Sequence, residues 1–326
     1  MKERNIPCYL NFLPADLLDR LEKEGESVPG IPGLTVGTGL LDRFPAIESE
    51  EALRFLVRVY QEIRSPLREV LEQRIKDRRF LDEATRDCVD RNATRPYLSS
   101  EYETALGMTD ESGRIVVGPL QDQVSINPLQ DQASIDSLHR VVIPDFLKGD
   151  QVTLFGPPNT ARMSINAMNA FNRKSPDEPS LVTRLVEESG QLPIWRADSE
   201  DSKTTMMADL LLACENLKGC FDGTLTYTDT AREKVYRLDE RGLSKPIKRI
   251  PGLALPDGSH LWHGSPLPLH LVDFGFHLFH NWDRPEALVF YVPKLENEEE
   301  SAYLKLMIMA AEREIQAGTR ITLREP

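Results

Sequence analysis

Apolar positions follow two rhythms along this chain, and the rhythm changes near residue 151. Before that point the clear signal is helical. Residues 14 to 24 set Leu17, Leu18 and Leu21 on one face behind Pro14, predicting a short helix. Gly and Pro crowd Pro29 to Gly39, which reads as an irregular surface loop. From Glu48, the residues Leu53, Leu56, Val57, Tyr60 and Ile63 recur at steps of three and four. Leu67, Val70, Leu71 and Ile75 carry the stripe past Pro66. Pro66 should kink or split this helix, because proline lacks the amide hydrogen and its ring collides with the preceding turn. The basic run from Arg74 to Arg79 reads as a solvated helix face. Periodicity lapses between 95 and 150, where Pro119–Asn127 is nearly repeated as Pro128–Asp136, too short a duplication for a solenoid.

From 151 onward, short apolar runs end abruptly in Gly, Pro or charge. Val152–Phe155 meets Gly156-Pro157-Pro158. Leu192, Ile194 and Trp195 run into Asp198, Glu200 and Asp201. Ile247 meets Lys248-Arg249, and Leu288–Val292 meets Pro293-Lys294-Leu295-Glu296. Buried strands that deliver polar groups from their ends are the sequence form of the catalytic rim of a β/α barrel. Helical patterns lie between them. Ala161–Phe171 turns Met163, Ile165, Ala167 and Met168 mostly inward, with Thr160 as N-cap. Met206–Leu217 follows a polar connector, Arg173–Gln191. Leu269–His280 buries Leu271, Phe274, Leu278 and Phe279. Asn297–Ile315 carries Glu298, Glu299 and Glu300 in its first turn, where the helix dipole favours them. Thr224–Leu238 suggests a hairpin-like excursion, and Thr319–Leu323 begins one more strand. This order predicts β-α-β units and a parallel sheet. The fold class is α/β: a mostly helical region over 1–150, then over 151–326 a partial (β/α)8 barrel with about five of its eight strands.

Composition narrows the function. A chain of 326 residues with 40% hydrophobic content fills a sizeable core. A net charge of −13 argues against nucleic acid or an anionic membrane as the main partner, without excluding a small anionic substrate. Four cysteines without metal-ligand spacing read as reduced thiols of a cytoplasmic protein. The charged N-terminus, with no apolar core after it, does not read as a secretory signal, and no apolar run comes near the roughly 18 residues of a membrane span. His270, His277 and His280 share one helix and read as structural.

Four ordered blocks carry a resemblance. They are Gly156-Pro157 with Met163–Asn169, Ala197–Ser202, Asp273–Asn281 and Phe290–Glu296. Together, over about 151 to 316, they resemble malate synthase and, more broadly, the citrate lyase β-chain and HpcH aldolase barrel superfamily. The resemblance implies a Mg2+-dependent Claisen condensation of acetyl-CoA with glyoxylate or another small 2-keto acid, the chemistry of the glyoxylate cycle. In it an aspartate takes a methyl proton, an arginine stabilises the enolate and the metal polarises the keto acid. The family arginine falls on Arg249; a second arginine two positions on is here Pro251. Asp198, Glu200 and Asp201 match the acidic strand end, as orienters of Arg249 rather than direct metal ligands, and Lys294 and Glu296 lie at the next strand end. Where the family has a metal-binding glutamate this chain has Arg324, with Glu325 one residue out of register and so turned to the other face. The Mg2+ ligands and general base are therefore expected to be missing. The expectation is a truncated, inactive chain whose open barrel edge is available for association. A CoA-ester lyase, an HpcH-type aldolase and a non-catalytic remnant are the alternatives.

Overall fold

The structure is a computed structural model that describes residues 15–90, 111–113, 153–172, 181–202 and 206–319. The chain forms two compact units, residues 1–68 with 145–326, and residues 69–144. In the second, the described residues are the end of a long helix and 111–113. The duplication at 119–136 lies outside the described residues.

Helix α1 (Ala15–Glu24) leads into β1 (Glu26–Ser27) and β2 (Leu34–Val36), so the Gly- and Pro-rich stretch expected to be loop contains paired strand. Gly33 makes that turn possible. Its φ is +83°, and an added Cβ would sit 2.4 Å from the His263 ring. After the short α2 (Leu40–Arg43), helix α3 runs from Glu50 to Asp90 without interruption at Pro66. The expected split does not occur. Ile63 and Leu67 flank the proline at 1% and 0% exposure, and burial of this apolar stripe outweighs the roughly 3 kcal/mol a helical proline costs.

Four strands form one all-parallel sheet in chain order: β3 (Thr153–Gly156), β4 (Ile194–Asp198), β7 (Lys245–Arg249) and β10 (Phe290–Tyr291). All four coincide with the apolar runs predicted to be strands. Between β3 and β4 lie α4 (Ala161–Met168) and α5 (Leu181–Ser189); the latter occupies part of the stretch expected to be a polar connector. Thr160 holds the N-cap position of α4, but its side chain makes no capping hydrogen bond. Met163, expected inward, is 43% exposed, while Ile165 and Met168 are buried. Helix α6 (Met207–Asp222) and the antiparallel hairpin β5 (Thr226–Asp229) and β6 (Lys234–Arg237) precede β7.

Strands β8 (Pro256–Trp262) and β9 (Ser265–Pro268) then join β1 and β2 in a second, antiparallel sheet ordered β1-β2-β8-β9, which the hydrophobic pattern did not announce. Helix α7 (Leu269–Asn281) returns to β10, and α8 (Glu298–Thr319) follows. Thr319, expected to open a fifth strand, ends α8, and residues 320–326 lie outside the described residues.

Period-two alternation assigns the faces of the parallel sheet. Leu154, Trp195, Ala197, Lys248 and Phe290 share one face by register. There Trp195 and Ala197 pack with Met168, Leu217 and Cys220. Helix α7 is buried along nearly its whole length, and Phe274 stacks at 4.9 Å on Phe290. Gly275 lets α3 approach α7 closely, since a Cβ there would lie 2.2 Å from Leu56 Cδ2. The other face carries Thr153 and Phe155, Arg196 and Asp198, Ile247 and Arg249, and Tyr291. Phe155 on that face is 63% exposed.

A candidate active site at the C-terminal edge of the parallel sheet

Asp198 is the last residue of β4 and Arg249 the last of β7, and the two are direct partners in the parallel register. Ligand sites of open parallel sheets gather at this edge, because only there do neighbouring strands release polar side chains together. The chain turns sharply after Asp198. Its Oδ1 accepts the backbone N–H of Glu200 at 2.8 Å and of Asp201 at 3.3 Å, and its carbonyl accepts the Ser202 hydroxyl at 2.5 Å. The turn folds three carboxylates back onto one guanidinium. Arg249 Nη1 donates to Asp198 Oδ2 at 3.0 Å, and Nη2 to Glu200 Oε2 at 2.9 Å and Asp201 Oδ2 at 2.8 Å. Lys294, just beyond β10 and at φ +57°, reaches Glu200 Oε1 at 2.6 Å and Asp201 Oδ1 at 3.0 Å. Five of the six residues singled out in the sequence thus meet. The sixth, Glu296, is exposed, and its backbone N–H donates to Glu300 Oε2 at 2.8 Å.

Burial works against the Arg249 charge, but the Asp201, Asp198 and Glu200 carboxylates outweigh it and hold the guanidinium above its ordinary pKa. The carboxyls of Glu200 and Asp201 separate. Burial pushes Glu200 up against the pull of Lys294, while hydrogen bonds from Glu200, Lys294 and Arg249 hold Asp201 well below the usual range. One site therefore keeps a fixed cation beside a carboxyl that retains its proton longer and another that does not.

Sequence reasoning missed what lies behind and beside this group. Lys248, 2% exposed, points to the helix-covered face, where its Nζ meets Asp273 Oδ1 of α7 at 2.7 Å and Ser199 Oγ at 2.6 Å. Ser199 N–H donates to the Arg249 carbonyl at 3.1 Å. The signal was there: a lysine at the inward position of a strand whose neighbours Ile247 and Arg249 point the other way. On the open face, the guanidinium carbons of Arg196 and Arg249 lie 5.0 Å and 5.3 Å from the centre of the Tyr291 ring. Elsewhere, His260 of β8 is fully buried between Asp257 Oδ2 at 2.5 Å and Glu48 Oε1 at 2.9 Å. Burial alone would lower its pKa, but the two carboxylates raise it to about 10.

The histidines of α7, read in the sequence as structural, each have a hydrogen-bond partner. His270 pairs with the Tyr303 hydroxyl at 2.7 Å, and His277 and His280 donate to the carbonyls of Ala287 and Ile47, each at 2.9 Å. The magnesium ion that the resemblance implies does not fit the described residues. The Asp198, Glu200 and Asp201 carboxylates are turned onto Arg249 and Lys294, and among the described residues no three His, Cys, Asp or Glu side chains gather to hold a metal.

No family model matches the chain. Proteins similar to the chain include several malate synthases. The chain is 34% identical over 155 residues to "Malate synthase, glyoxysomal" of Raphanus sativus, a match covering 41% of this chain and 27% of that protein. It is 25% identical over 322 residues to "Malate synthase" of Oryza sativa subsp. japonica, covering 96% and 43%. With "Malate synthase A" of Escherichia coli (strain K12) it shares 29% over 174 residues, covering 52% and 28%. The chain is malate synthase-like in sequence, and its matches span less than half the length of these relatives. Among the described residues no helix is long and apolar enough to cross a membrane.

Proposed function

We propose that this chain carries the enolate-stabilising part of a malate synthase-like site, for condensing acetyl-CoA with glyoxylate, on a partial β/α barrel beginning near residue 151. The observation that carries the reading is Arg249, bound to three carboxylates at the C-terminal edge of a parallel sheet. A thioester methyl is a very weak acid. Removing its proton puts negative charge on the carbonyl oxygen, and a cation already oriented before substrate arrives lowers that barrier without reorganising during the reaction. The enolate carbon then attacks the aldehyde carbon of glyoxylate, forming the new C–C bond, and water cleaves the thioester to release the CoA thiol. Arg249 is the catalytic residue of this scheme. Asp198, Glu200 and Asp201 position it, and Lys294 holds Glu200 and Asp201 in place. Similarity to malate synthases supports the substrates.

The Asp198, Glu200 and Asp201 carboxylates are engaged with Arg249 and Lys294, so the chain is expected to give no sustained thiol release with acetyl-CoA, glyoxylate and Mg2+. The enolate step is tested separately, by exchange of the acetyl-CoA methyl protons into deuterated imidazole buffer, with imidazole as the external base. The expected result is exchange above the buffer rate. It falls about a hundredfold in Arg249→Lys, the scale for losing one oxyanion donor. Exchange at the buffer rate, or exchange unchanged in Arg249→Lys, removes Arg249 from the mechanism.

A further inference from the structure

We infer that Arg196 is a second anion-binding residue of this site and takes the carboxylate of a small monoanionic organic acid. The inference rests on the reading that the site accepts a keto acid, and names the group that would hold it. Arg196 is the middle residue of β4 and shares a sheet face with Asp198 and Arg249. Its guanidinium carbon lies over two rings, 5.4 Å from the centre of Phe155 and 5.0 Å from that of Tyr291. Aromatic contacts of this kind hold the guanidinium without supplying an oxygen acceptor to its N–H groups.

Two features separate Arg196 from an ordinary surface arginine. First, the other cations of the site are matched, Arg249 and Lys294 by Asp198, Glu200 and Asp201, whereas no carboxylate pairs with Arg196 among the described residues. That is unusual in a chain of net charge −13. Second, Nε of Arg196 and Nε of Arg249 are both buried donors without an acceptor, although the Tyr291 ring lies within reach of both guanidiniums. Buried N–H groups are nearly always satisfied, so unpaired donors on two arginines near one ring point to an acceptor that arrives from solution. A carboxylate offers oxygens in one plane and matches the edge of a guanidinium. Single charge is favoured over double, because Asp198 lies two residues along the same face and would repel a dianion. The neighbouring Phe155, 63% exposed, gives the organic part of such an acid an apolar wall.

The test is calorimetric titration of the whole chain with pyruvate and glyoxylate, alongside methyl pyruvate as the neutral match and inorganic phosphate as the dianion. Both acids should bind, and both comparators should bind at least tenfold more weakly. Arg196→Met, which keeps an unbranched chain beside the rings, should weaken pyruvate at least tenfold at an unchanged thermal midpoint. Arg196→Lys should also weaken it, since an ammonium lacks the planar fork. Tyr291→Leu should do so without removing a charge. Absent pyruvate binding, equal binding of methyl pyruvate or phosphate, or unchanged affinity in a folded Arg196→Met or Arg196→Lys would overturn the inference. The methyl-exchange assay separates the two claims. Arg196-dependent binding without exchange sinks only the condensation reading, and Arg249-dependent exchange without acid binding sinks only this one.

Discussion

Lys248 Nζ and Asp273 Oδ1 lie 2.7 Å apart, sealed between the parallel sheet and α7 with their side chains 1% and 0% exposed. Lys248 immediately precedes Arg249 in the chain, and Ser199, its other partner, immediately follows Asp198. The pair behind the sheet therefore fixes the register of the two residues that meet at its edge.

Breaking this pair on one side leaves a buried charge without compensation. Burial already pushes the Asp273 carboxyl upward, with the Lys248 ammonium opposing. Asp273→Asn is expected to cost about 3–5 kcal/mol in urea denaturation at pH 7, whereas Lys248→Met with Asp273→Leu recovers most of it. A double variant no more stable than Asp273→Asn would mean that the damage is steric.

Two histidines give the stability profile two limbs. The His260 pKa is raised from 6.5 to about 10 by Asp257 and Glu48 against the effect of burial, so its contribution is complete below the unfolded value and is lost as pH rises through about 10. The His277 pKa is lowered to about 3 by burial and then by the Lys248 charge, so its contribution is complete above the unfolded value and is lost as pH falls toward 3. The thermal midpoint should peak near neutral pH and decline on both sides. His277→Gln should flatten the acid limb, and His260→Leu should remove the alkaline one while lowering the peak.

Asp198 and Asp201 both bind Arg249 but differ in stability terms. Asp198 also holds the turn after β4, so Asp198→Ala should cost about 2–3 kcal/mol by denaturant titration. The Asp201 side chain is 56% exposed, and solvent screens its pairing. Asp201→Asn should leave the denaturation midpoint where it is.

Gly33 and Gly39 separate backbone strain from crowding. Both have positive φ, +83° and +76°, but a Cβ at Gly33 meets the His263 ring at 2.4 Å while one at Gly39 meets nothing within 4 Å. Gly39→Ala should cost about 1 kcal/mol from the left-handed conformation alone, and Gly33→Ala more, read as thermal midpoints. Equal losses would mean the His263 ring moves aside freely.

The parallel strands were legible because each is an apolar run ended by Gly, Pro or charge, and the buried face of α7 because its apolar residues repeat at helical spacing. The acid-rich end of β4 and Arg249 stood out for the same reason. The antiparallel sheet was not legible. β1 has two residues and β2 three, too short for alternation to show, and β8 holds Asp257 and His260 at positions that pattern reading treats as exposed. Pro66 misled in the other direction, since local propensity favours a break that the burial of Ile63 and Leu67 overrides.

From its order of residues alone the chain specified the parallel strands, most of the helices between them and which strand ends carry charge, because hydrophobic period and turn chemistry act over a few neighbours. Only the tertiary structure decided that Arg249 faces three carboxylates while Lys248, one residue earlier, is buried against Asp273, and that Arg196 lies over Phe155 and Tyr291. Those pairings join residues about 25 to 100 positions apart, and parallel strand register together with the packing of α7 on the sheet, which no local signal encodes, brings them together.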